Sequence, residues 1–400
     1  MSEQDDVQAR ENEPIAIGGA PPDGRRRHPS DEAPARVAWS QLIEPGDADA
    51  GVLIARHGAR EAWALLPRGA SAVVAAAPSS ESARWRKAYA RWAPRLSAVD
   101  LDQQWERARR CGARLLLPGD PDWPHGLDDL QESQPLLLWV RGDPEPLNRE
   151  PRVAIVGARA STGYGEHITA EIAGDLAARG VGVVSGAAYG IDGAAHRAAL
   201  ACDGATVAVL AGGVDRVYPA GHAALIAEIA RSGAVVSEAP LGSEPTKWRF
   251  LARNRLIAAM TDATLVVEAG WRSGSLNTAG HAASLGRPLG AVPGPVTSAA
   301  SSGCHRLLRE YDAVCITGAD DVIELLPGAS VPAVDEVPSE LPEAGRLDAV
   351  LSTRIVRTTE DLAARAGIST ADAEALLGLW SLTGRVERDG AGWRAVRARQ

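Results

Sequence analysis

Short apolar runs alternate with longer amphipathic segments between residues 153 and 317. The runs are continuous and rich in valine, and they span 153–157, 181–185, 206–212, 234–238, 264–270, 288–294 and 313–317. Helical stretches such as EHITAEIAGDLAARG lie between most of them. Continuous apolar strands separated by helices are typical of a parallel sheet that is covered on both faces. The pattern predicts an α/β fold with a Rossmann-like, doubly wound, mostly parallel sheet.

Different patterns occur on the N-terminal side of this region. Residues 37 to about 90 are rich in alanine and have helical periodicity around a turn at Pro45-Gly46, which predicts a helical, SAM-like domain over 37–110. Two short apolar runs, ARLLLPGD and PLLLWVRGD, lie between residues 111 and 142. They predict strands that lead into the sheet, so we expect an extended core over 111–326.

The two ends of the chain have their own composition. Residues 1–36 combine proline, glycine and charge, which predicts a disordered tail, and residues 327–345 are proline-rich and acidic, which predicts a linker. Residues 346–400 have the order helix, turn, helix and hairpin, which predicts a winged-helix domain. Its second helix lacks lysine and arginine, so we expect an accessory or protein-contact module and not a reader of duplex DNA.

Composition and charge restrict the classes of function. The net charge of −9 argues against a protein that coats nucleic acid through bulk charge, so a nucleic-acid site must be a local basic surface. No stretch of about 18 apolar residues or apolar N-terminal segment occurs, and we expect a cytoplasmic protein without a membrane partner. The four cysteines lack the spacing of a metal site, so we expect mostly buried thiols, no metal and no cofactor.

Loops of small residues follow the predicted strands. VGARASTGYG (156–165) contains Arg159, and SGAAYGIDGAAH (185–196) follows the next strand; neither has GxGxxG spacing. Because the carboxyl ends of parallel strands meet at one edge, these loops predict an extended phosphate-binding edge. A turn that merely requires glycine is the alternative for each loop. We expect Asp192 to cap a helix and His196 to be structural; a catalytic Asp–His pair is the other interpretation.

The segment KWRFLARNR (247–255) concentrates cations and aromatic rings without an acid. Lys247 is one of two lysines in the chain, and Phe250 is the only phenylalanine. Proteins that bind single-stranded nucleic acid combine cations along the backbone with aromatic platforms for the bases. The segment predicts such a surface, and a helix start with exposed arginines and a buried phenylalanine is the alternative.

The run from Val153 to about Asp321 resembles the DNA-processing protein A family (DprA/Smf). The motifs that carry the resemblance are VAIVGAR, SGAAYGID-GAAH, AGGVDRVYP, SEAPLG, F-LARNR, VVEA-WRSGSLNTA, AVPG and SGCHRLL. The resemblance implies a core that binds and protects incoming single-stranded DNA, forms a homodimer and loads RecA recombinase during natural transformation. It implies that DNA is contacted by Arg159, Ser185, Gly186, Lys247, Phe250, Arg253, Asn254 and Arg255. It implies that the same edge is lined by Gly190, Ser273, Gly274, Thr278 and Gly294.

The chain departs from the family pattern at Tyr189, where arginine is common, and at Cys304 and His305, where polar residues such as asparagine are common. Tyr189 removes a phosphate partner, although a tyrosine can stack on a base. The alternative function is a nucleotide-binding or nucleoside-monophosphate-cleaving Rossmann enzyme of the lysine-decarboxylase-like type. Those enzymes use a PGGxGTxxE motif, whose glutamate is replaced here by His281, leaving Glu268 as the candidate carboxylate. We therefore expect a protein that is not an enzyme.

Overall fold

The computed structural model describes residues 32–77, 81–327, 342–352, 355–382, 385–390 and 392–396. The chain divides into two compact units, Met1–Gly328 and Ala329–Gln400. The predicted tail and linker lie mostly outside the described residues. Ordered structure begins earlier than predicted at both places, because a helix starts at Ala33 and another starts at Pro342.

The helical part of the first unit is built around tryptophan side chains. Its helices are α1 (Ala33–Leu42), α2 (Ala48–His57), α3 (Ala59–Leu65), α4 (Ala70–Ala76), α5 (Ser82–Trp92) and α6 (Leu101–Cys111). The ring of Trp39 packs edge-on against Trp63 and Trp92, with centroids 5.9 and 5.3 Å apart. The predicted helix–turn–helix around Pro45-Gly46 is confirmed. Asp47 ends the turn, and its carboxylate caps α2 by accepting from the amides of Asp49 and Ala50.

Within the described residues, nine strands form one sheet in the order β1-β2-β6-β5-β4-β3-β7-β8-β9. They are β1 (Arg114–Leu116), β2 (Leu138–Gly142), β3 (Arg152–Val156), β4 (Gly182–Ser185), β5 (Thr206–Val209), β6 (Ala234–Ser237), β7 (Ala263–Val266), β8 (Leu289–Ala291) and β9 (Val314–Cys315). Strands β3 to β9 pair in parallel, and β1 and β2 form an antiparallel extension next to β6. Every strand predicted from the apolar runs is present.

Helices cover the sheet between successive parallel strands. They are α7 (Gly163–Ala178), α8 (Ile191–Ala201), α9 (Ala223–Ser232), α10 (Lys247–Ala259), α11 (Ser275–Ser284) and α12 (Ser302–Glu310), and α13 (Ala319–Glu324) follows β9. All five residues of β3 are buried, which explains why its sequence is continuously apolar instead of alternating. Strands β3, β4, β5 and β6 lie side by side in that order, and β7 then pairs with the opposite side of β3. This reversal creates a topological switch point between β3 and β7, where ligands bind in such folds.

The helical part and the sheet share a hydrophobic cluster instead of forming the two separate domains that the sequence predicted. The ring of Trp105 on α6 packs edge-on against Trp139 on β2, with centroids 5.8 Å apart. The buried amide of Gln104 makes two hydrogen bonds with the backbone of Leu241, at 3.1 and 2.9 Å. Residues from Ala33 to the end of the sheet therefore pack as one body.

The second unit contains α14 (Pro342–Val350), α15 (Thr359–Ala366), α16 (Thr370–Leu382) and an antiparallel hairpin of β10 (Val386–Asp389) and β11 (Gly392–Ala395). Leu347, Leu362, Leu377 and Trp380 form its core. This order of elements agrees with the predicted helix, turn, helix and hairpin, and the winged-helix assignment stays a prediction. In the part of the chain that the structure describes, every helix is too short or too polar to span a bilayer.

Candidate nucleic-acid interface

A cleft of about 870 Å³ opens at the carboxyl ends of β3 and β7. Its walls come from the loop after β3, the first turns of α10 and the loop that leads into α11. The cleft therefore lies at the switch point of the sheet. The predicted site residues that line it are Arg159, Lys247, Phe250, Arg253, Asn254, Ser273, Gly274 and Thr278. The predicted site residues outside its lining are Ser185, Gly186, Gly190, Arg255 and Gly294.

Phe250 is the aromatic centre of the cleft. Thr246 caps α10 through the amide of Arg249, which places Phe250 in the first turn of the helix. The half-buried ring lies 4.5 Å from the guanidinium of Arg159 and 5.5 Å, between centroids, from the ring of Tyr218. A planar ring surrounded by a cation and a second aromatic ring can take up an unpaired base by stacking.

Arg253 is one turn further along α10 and is buried in the wall of the cleft. One of its terminal nitrogens donates to the carbonyl of Val209. Burial lowers the pKa of Arg253 to about 10, an effect that the nearby charge of Asp192 opposes. A Cβ atom at Gly186 would overlap the guanidinium of Arg253. Gly186 is therefore a glycine because Arg253 fills the space beside it.

The prediction that Asp192 caps a helix is wrong. Helix α8 begins at Ile191 with Gly190 as its cap, so Asp192 lies inside the first turn. Its buried carboxylate instead accepts hydrogen bonds from the amides of Gly186, at 3.1 Å, and Ala188, at 3.4 Å, and thereby fixes the loop after β4. Burial raises the pKa of Asp192, against the opposing effect of the Arg253 charge.

The expectation that His196 is structural agrees with its surroundings. The ring is fully buried, and its Nδ1 shares a 2.7 Å hydrogen bond with the hydroxyl of Thr206. Burial lowers the pKa of His196 to about 3, so the ring is neutral at physiological pH. It makes no described hydrogen bond with Asp192, and the catalytic-pair interpretation finds no support.

Two of the predicted DNA contacts are engaged inside the protein. The buried hydroxyl of Ser185 donates to the carbonyl of Ile155 at 2.6 Å. Arg255 makes a two-pronged ion pair with Glu238, at 2.5 and 2.6 Å, and donates to the carbonyl of Ser133 at 3.0 Å. The structure does not present either side chain to the cleft.

The glycines of the loops make close packing possible. Gly190 has a φ of +75°, and a Cβ there would collide with the carbonyl of Ala158 in the neighbouring loop. A Cβ at Gly294 would overlap the hydroxyl of Ser301. At these two positions the structure agrees with the alternative interpretation of the loops, in which glycine is required by the local backbone and by close packing and not by a bound phosphate.

The charges around the cleft are strongly biased. Arg159, Lys247 and Arg272 line it, and none of the three forms an ion pair with any described residue. Among the described lining residues, Asp192 is the only acid, and its carboxylate is buried. By contrast, Arg249 on the same helix as Lys247 is held by Glu44, at 2.9 Å. The cleft is thus a local basic surface on a chain of net charge −9.

A polar wall completes the cleft. The amide nitrogen of Asn254 donates to the carbonyl of Gly274 and to the side-chain oxygen of Asn277, both at 3.2 Å. The hydroxyls of Ser273 and Ser275 lie 2.7 Å apart. These contacts tie α10 to the loop before α11 and place small hydrogen-bonding groups beside the aromatic ring.

The lining side chains that the sequence did not predict include Tyr218, Arg272 and Asn277. All three lie within the motifs AGGVDRVYP and WRSGSLNTA. The signal for Arg272 was available, because WRSGS places an arginine in the loop that follows the parallel strand β7.

Glu268, the candidate catalytic carboxylate of the nucleotide-cleaving alternative, is already bound by another residue of the protein. Glu268 is buried and accepts hydrogen bonds from the amide and the hydroxyl of Thr162, at 2.9 and 2.6 Å. Neither Glu268 nor His281 lines the cleft. Glu268 therefore holds the start of α7 in place.

Among the described residues, no group of three or more metal-ligating side chains is arranged to hold an ion. The expectation of mostly buried thiols is wrong, since Cys304 is buried but Cys202 and Cys315 are exposed. Cys202 follows the end of α8, and Cys315 lies on the edge strand β9, where one side of the sheet is open. Burial raises the pKa of the Cys304 thiol to about 12.

Comparison with known proteins gives a consistent result. The family model described as DNA recombination-mediator protein A matches residues 114–327. A putative DNA processing protein DprA of Mycobacterium tuberculosis is 45% identical over 317 residues, which are 73% of this chain and 79% of that protein. Protein Smf of Escherichia coli is 42% identical over 212 residues, 53% of this chain and 56% of that protein. The X-ray structure of DNA processing protein A from Streptococcus pneumoniae superposes with a TM-score of 0.59 at 28% identity, covering 76% of this chain and 99% of that one.

Proposed function

This chain belongs to the DNA recombination-mediator protein A family, and on that premise we propose that it binds single-stranded DNA in the cleft between β3 and β7. The observation that carries the proposal is the half-buried ring of Phe250, which lies against the Arg159 guanidinium and beside cations without described ion-pair partners. The ring offers a surface for a base, and the cations offer charge for phosphates. Both are needed to bind a strand whose bases are unpaired.

The same geometry favours single strands over duplex. In a duplex, each base already stacks on its neighbours, so its face can reach Phe250 only if the base leaves the stack. The cleft is a concave pocket at the carboxyl ends of β3 and β7, whereas readers of the major groove insert a helix or a two-stranded ribbon. We infer that the strand lies along the edge with one base in the cleft.

Binding of labelled oligonucleotides to the full chain, followed by fluorescence anisotropy at two salt concentrations, tests the proposal. A single strand should bind more tightly than the duplex of the same sequence, and its affinity should fall with salt because phosphate binding releases counterions. Lys247→Ala should reduce the slope of log affinity against log salt by about 0.7, the value for one phosphate contact on a single strand. Phe250→Ala should weaken binding about 5- to 150-fold, corresponding to ~1–3 kcal/mol per stacked base, with little change in slope.

A matched control variant is Arg86→Ala, which removes an exposed arginine on α5 outside the cleft lining. Its affinity and salt slope should equal those of the unmodified chain. Tighter binding of duplex, or equal affinities of Lys247→Ala, Phe250→Ala and Arg86→Ala, would overturn the assignment of the cleft.

We further propose that the bound strand is transferred to RecA recombinase and that the chain acts as a homodimer in the cytoplasm. The support is the description of the family as a recombination mediator, together with the resemblance of the core motifs. The full chain should accelerate RecA filament formation on DNA coated with single-strand-binding protein, and Phe250→Ala should abolish the acceleration. Light scattering should give twice the 41.8 kDa mass of one chain.

We also propose that the chain is not an enzyme, because the best candidate carboxylate, Glu268, is buried and bound by Thr162. Incubation with nucleoside monophosphates should release no free base. Base release that disappears in Glu268→Gln would contradict this proposal.

A further inference from the structure

Two exposed tyrosines continue the aromatic surface beyond Phe250. Tyr218 lines the cleft beside Phe250, and 47% of its side chain is exposed. Tyr189 is 48% exposed and follows Ala188, another lining residue. An isolated exposed aromatic residue needs no explanation, but two beside a nucleic-acid cleft form a candidate extension of it.

Tyr189 is held in place although half of it faces solvent. Its hydroxyl accepts a hydrogen bond from the amide of Gly221 at 3.2 Å. Its ring meets the buried ring of His222 edge-on, with centroids 4.7 Å apart at 74°. His222 is itself fixed, because its Nδ1 lies 3.1 Å from the carbonyl of Ala187. A ring fixed in advance loses little conformational freedom when a base stacks on it.

The two tyrosines belong to one continuous surface. Gly221, whose amide donates to Tyr189, lies three residues after Tyr218. The Cα atoms of Tyr218 and Gly221 are therefore at most about 11 Å apart. On the other side of Tyr189, Gly190 packs against the backbone of Ala158 and Arg159 at the mouth of the cleft. Tyr189 therefore lies between two segments that also line the cleft.

The charges along this extension suit a phosphate backbone. Arg216, two residues before Tyr218, is exposed and has no ion pair with any described residue. The acid next to it, Asp215, is used internally, because it accepts from the amide of Gly242 at 2.7 Å and pairs with Arg107 at 3.4 Å. Arg159 and Arg216 thus flank the tyrosines with cations available to phosphates.

We propose that Tyr189 and Tyr218 form a second base-stacking subsite, onto which the strand passes after it leaves the cleft at Phe250. This inference rests on the proposed single-stranded DNA binding and specifies the path of the strand. The subsite takes an unpaired base of any identity, because ring faces recognise stacking surfaces and not base edges.

The test measures affinity of the full chain for oligothymidylates of increasing length. Tyr189→Ala should weaken binding of the longer oligonucleotides about 5- to 100-fold and leave the salt slope unchanged, because it removes a stacking surface and no charge. The shortest oligonucleotides that still bind should be unaffected, since they fill only the cleft. Tyr189→Phe keeps the ring and its contact with His222 but loses the hydrogen bond from Gly221, so it should weaken binding much less than Tyr189→Ala. Tyr311→Ala, which removes an exposed tyrosine outside the cleft lining, is the matched control and should have no effect.

A second measurement needs no substitution that could disturb folding. Ultraviolet cross-linking of the unmodified chain to an iodouridine-containing oligonucleotide, followed by peptide mapping, should mark Tyr189, which lies outside the cleft lining, as well as the cleft. Cross-links confined to the cleft, equal affinity of Tyr189→Ala at every length, or an equal loss at every length would each overturn the subsite. If the unmodified chain does not bind single strands, the proposed function itself is wrong. This outcome is recognised from the unmodified chain alone and does not depend on any result with Tyr189→Ala.

Discussion

Replacement of Arg255 by alanine would leave the carboxylate of Glu238 buried without its cation. The two guanidinium nitrogens contact the two carboxylate oxygens at 2.5 and 2.6 Å, and the side chains are only 6% and 8% exposed. The variant also removes the hydrogen bond to the carbonyl of Ser133. Breaking one partner of a buried pair costs about 3–5 kcal/mol, because the remaining charge stays desolvated. We expect Arg255→Ala to lower the free energy of unfolding by about this amount.

Urea unfolding of the full chain, followed by tryptophan fluorescence, measures this change. With a denaturant slope of about 3 kcal/mol per molar, the upper end of the range for small proteins, the midpoint should fall by about 1–1.7 M. Under native conditions the folded protein should keep its affinity for single-stranded DNA, because Arg255 does not line the cleft. The double replacement of Arg255 and Glu238 by leucine should recover much of the lost stability, since no charge is then left unpaired.

An Arg255→Ala protein that unfolds at the same urea concentration as the unmodified chain, but binds single strands more weakly, would contradict a purely stabilising role of Arg255. Such a result would assign Arg255 a direct contact with DNA, as the sequence motif implied, and would require the ion pair with Glu238 to open on binding.

Three further substitutions or titrations test other parts of the site. Gly186→Ala should lower stability by about 1–3 kcal/mol through overpacking against Arg253, and should weaken DNA binding; an unchanged thermal midpoint would contradict the packing described. Arg272→Ala should flatten the salt slope for oligonucleotide binding by about 0.7, and an unaltered slope would remove it from the phosphate path. His196 has a folded-state pKa of about 3, below its ordinary 6.5, so the unfolded chain binds the extra proton between these values and stability is lost as pH falls through that window. In NMR spectra the His196 ring should accordingly remain neutral from pH 8 down to pH 5.

The strands were predictable because a strand that is buried on both faces has apolar residues at successive positions. A strand such as VAIVG needs apolar side chains at every position, and each run of this kind became a strand of the sheet. The position of the cleft was predictable for a related reason, since loops at the carboxyl ends of parallel strands necessarily converge. Arg159, Lys247 and Phe250, drawn from two distant segments, meet there as the motifs implied.

Other features depend on partners that a one-dimensional pattern cannot reveal. KWRFLARNR contains no acid, but the helix it forms brings Arg255 to Glu238 and Arg249 to Glu44, which lie 17 and 205 positions earlier in the chain. Only the folded structure shows which cations of a basic segment are held in ion pairs with acidic side chains and which can bind a ligand. The role of Asp192 was mistaken for a similar reason, because the start of α8 is set by the backbone of Gly190 and differs by two positions from the start inferred.

The contacts between α6 and the sheet extend the packed core beyond the segment that the family model matches. The family model begins at residue 114, yet Trp105 and Gln104 are already built into the packing of β2 and the loop after β6. A fragment that begins at residue 114 would expose the ring of Trp139 and leave the backbone of Leu241 without its amide partner. In this chain the segment that the family model matches is shorter than the part that packs as one compact unit. Exchange of cores between relatives should therefore carry the preceding helices along with the sheet.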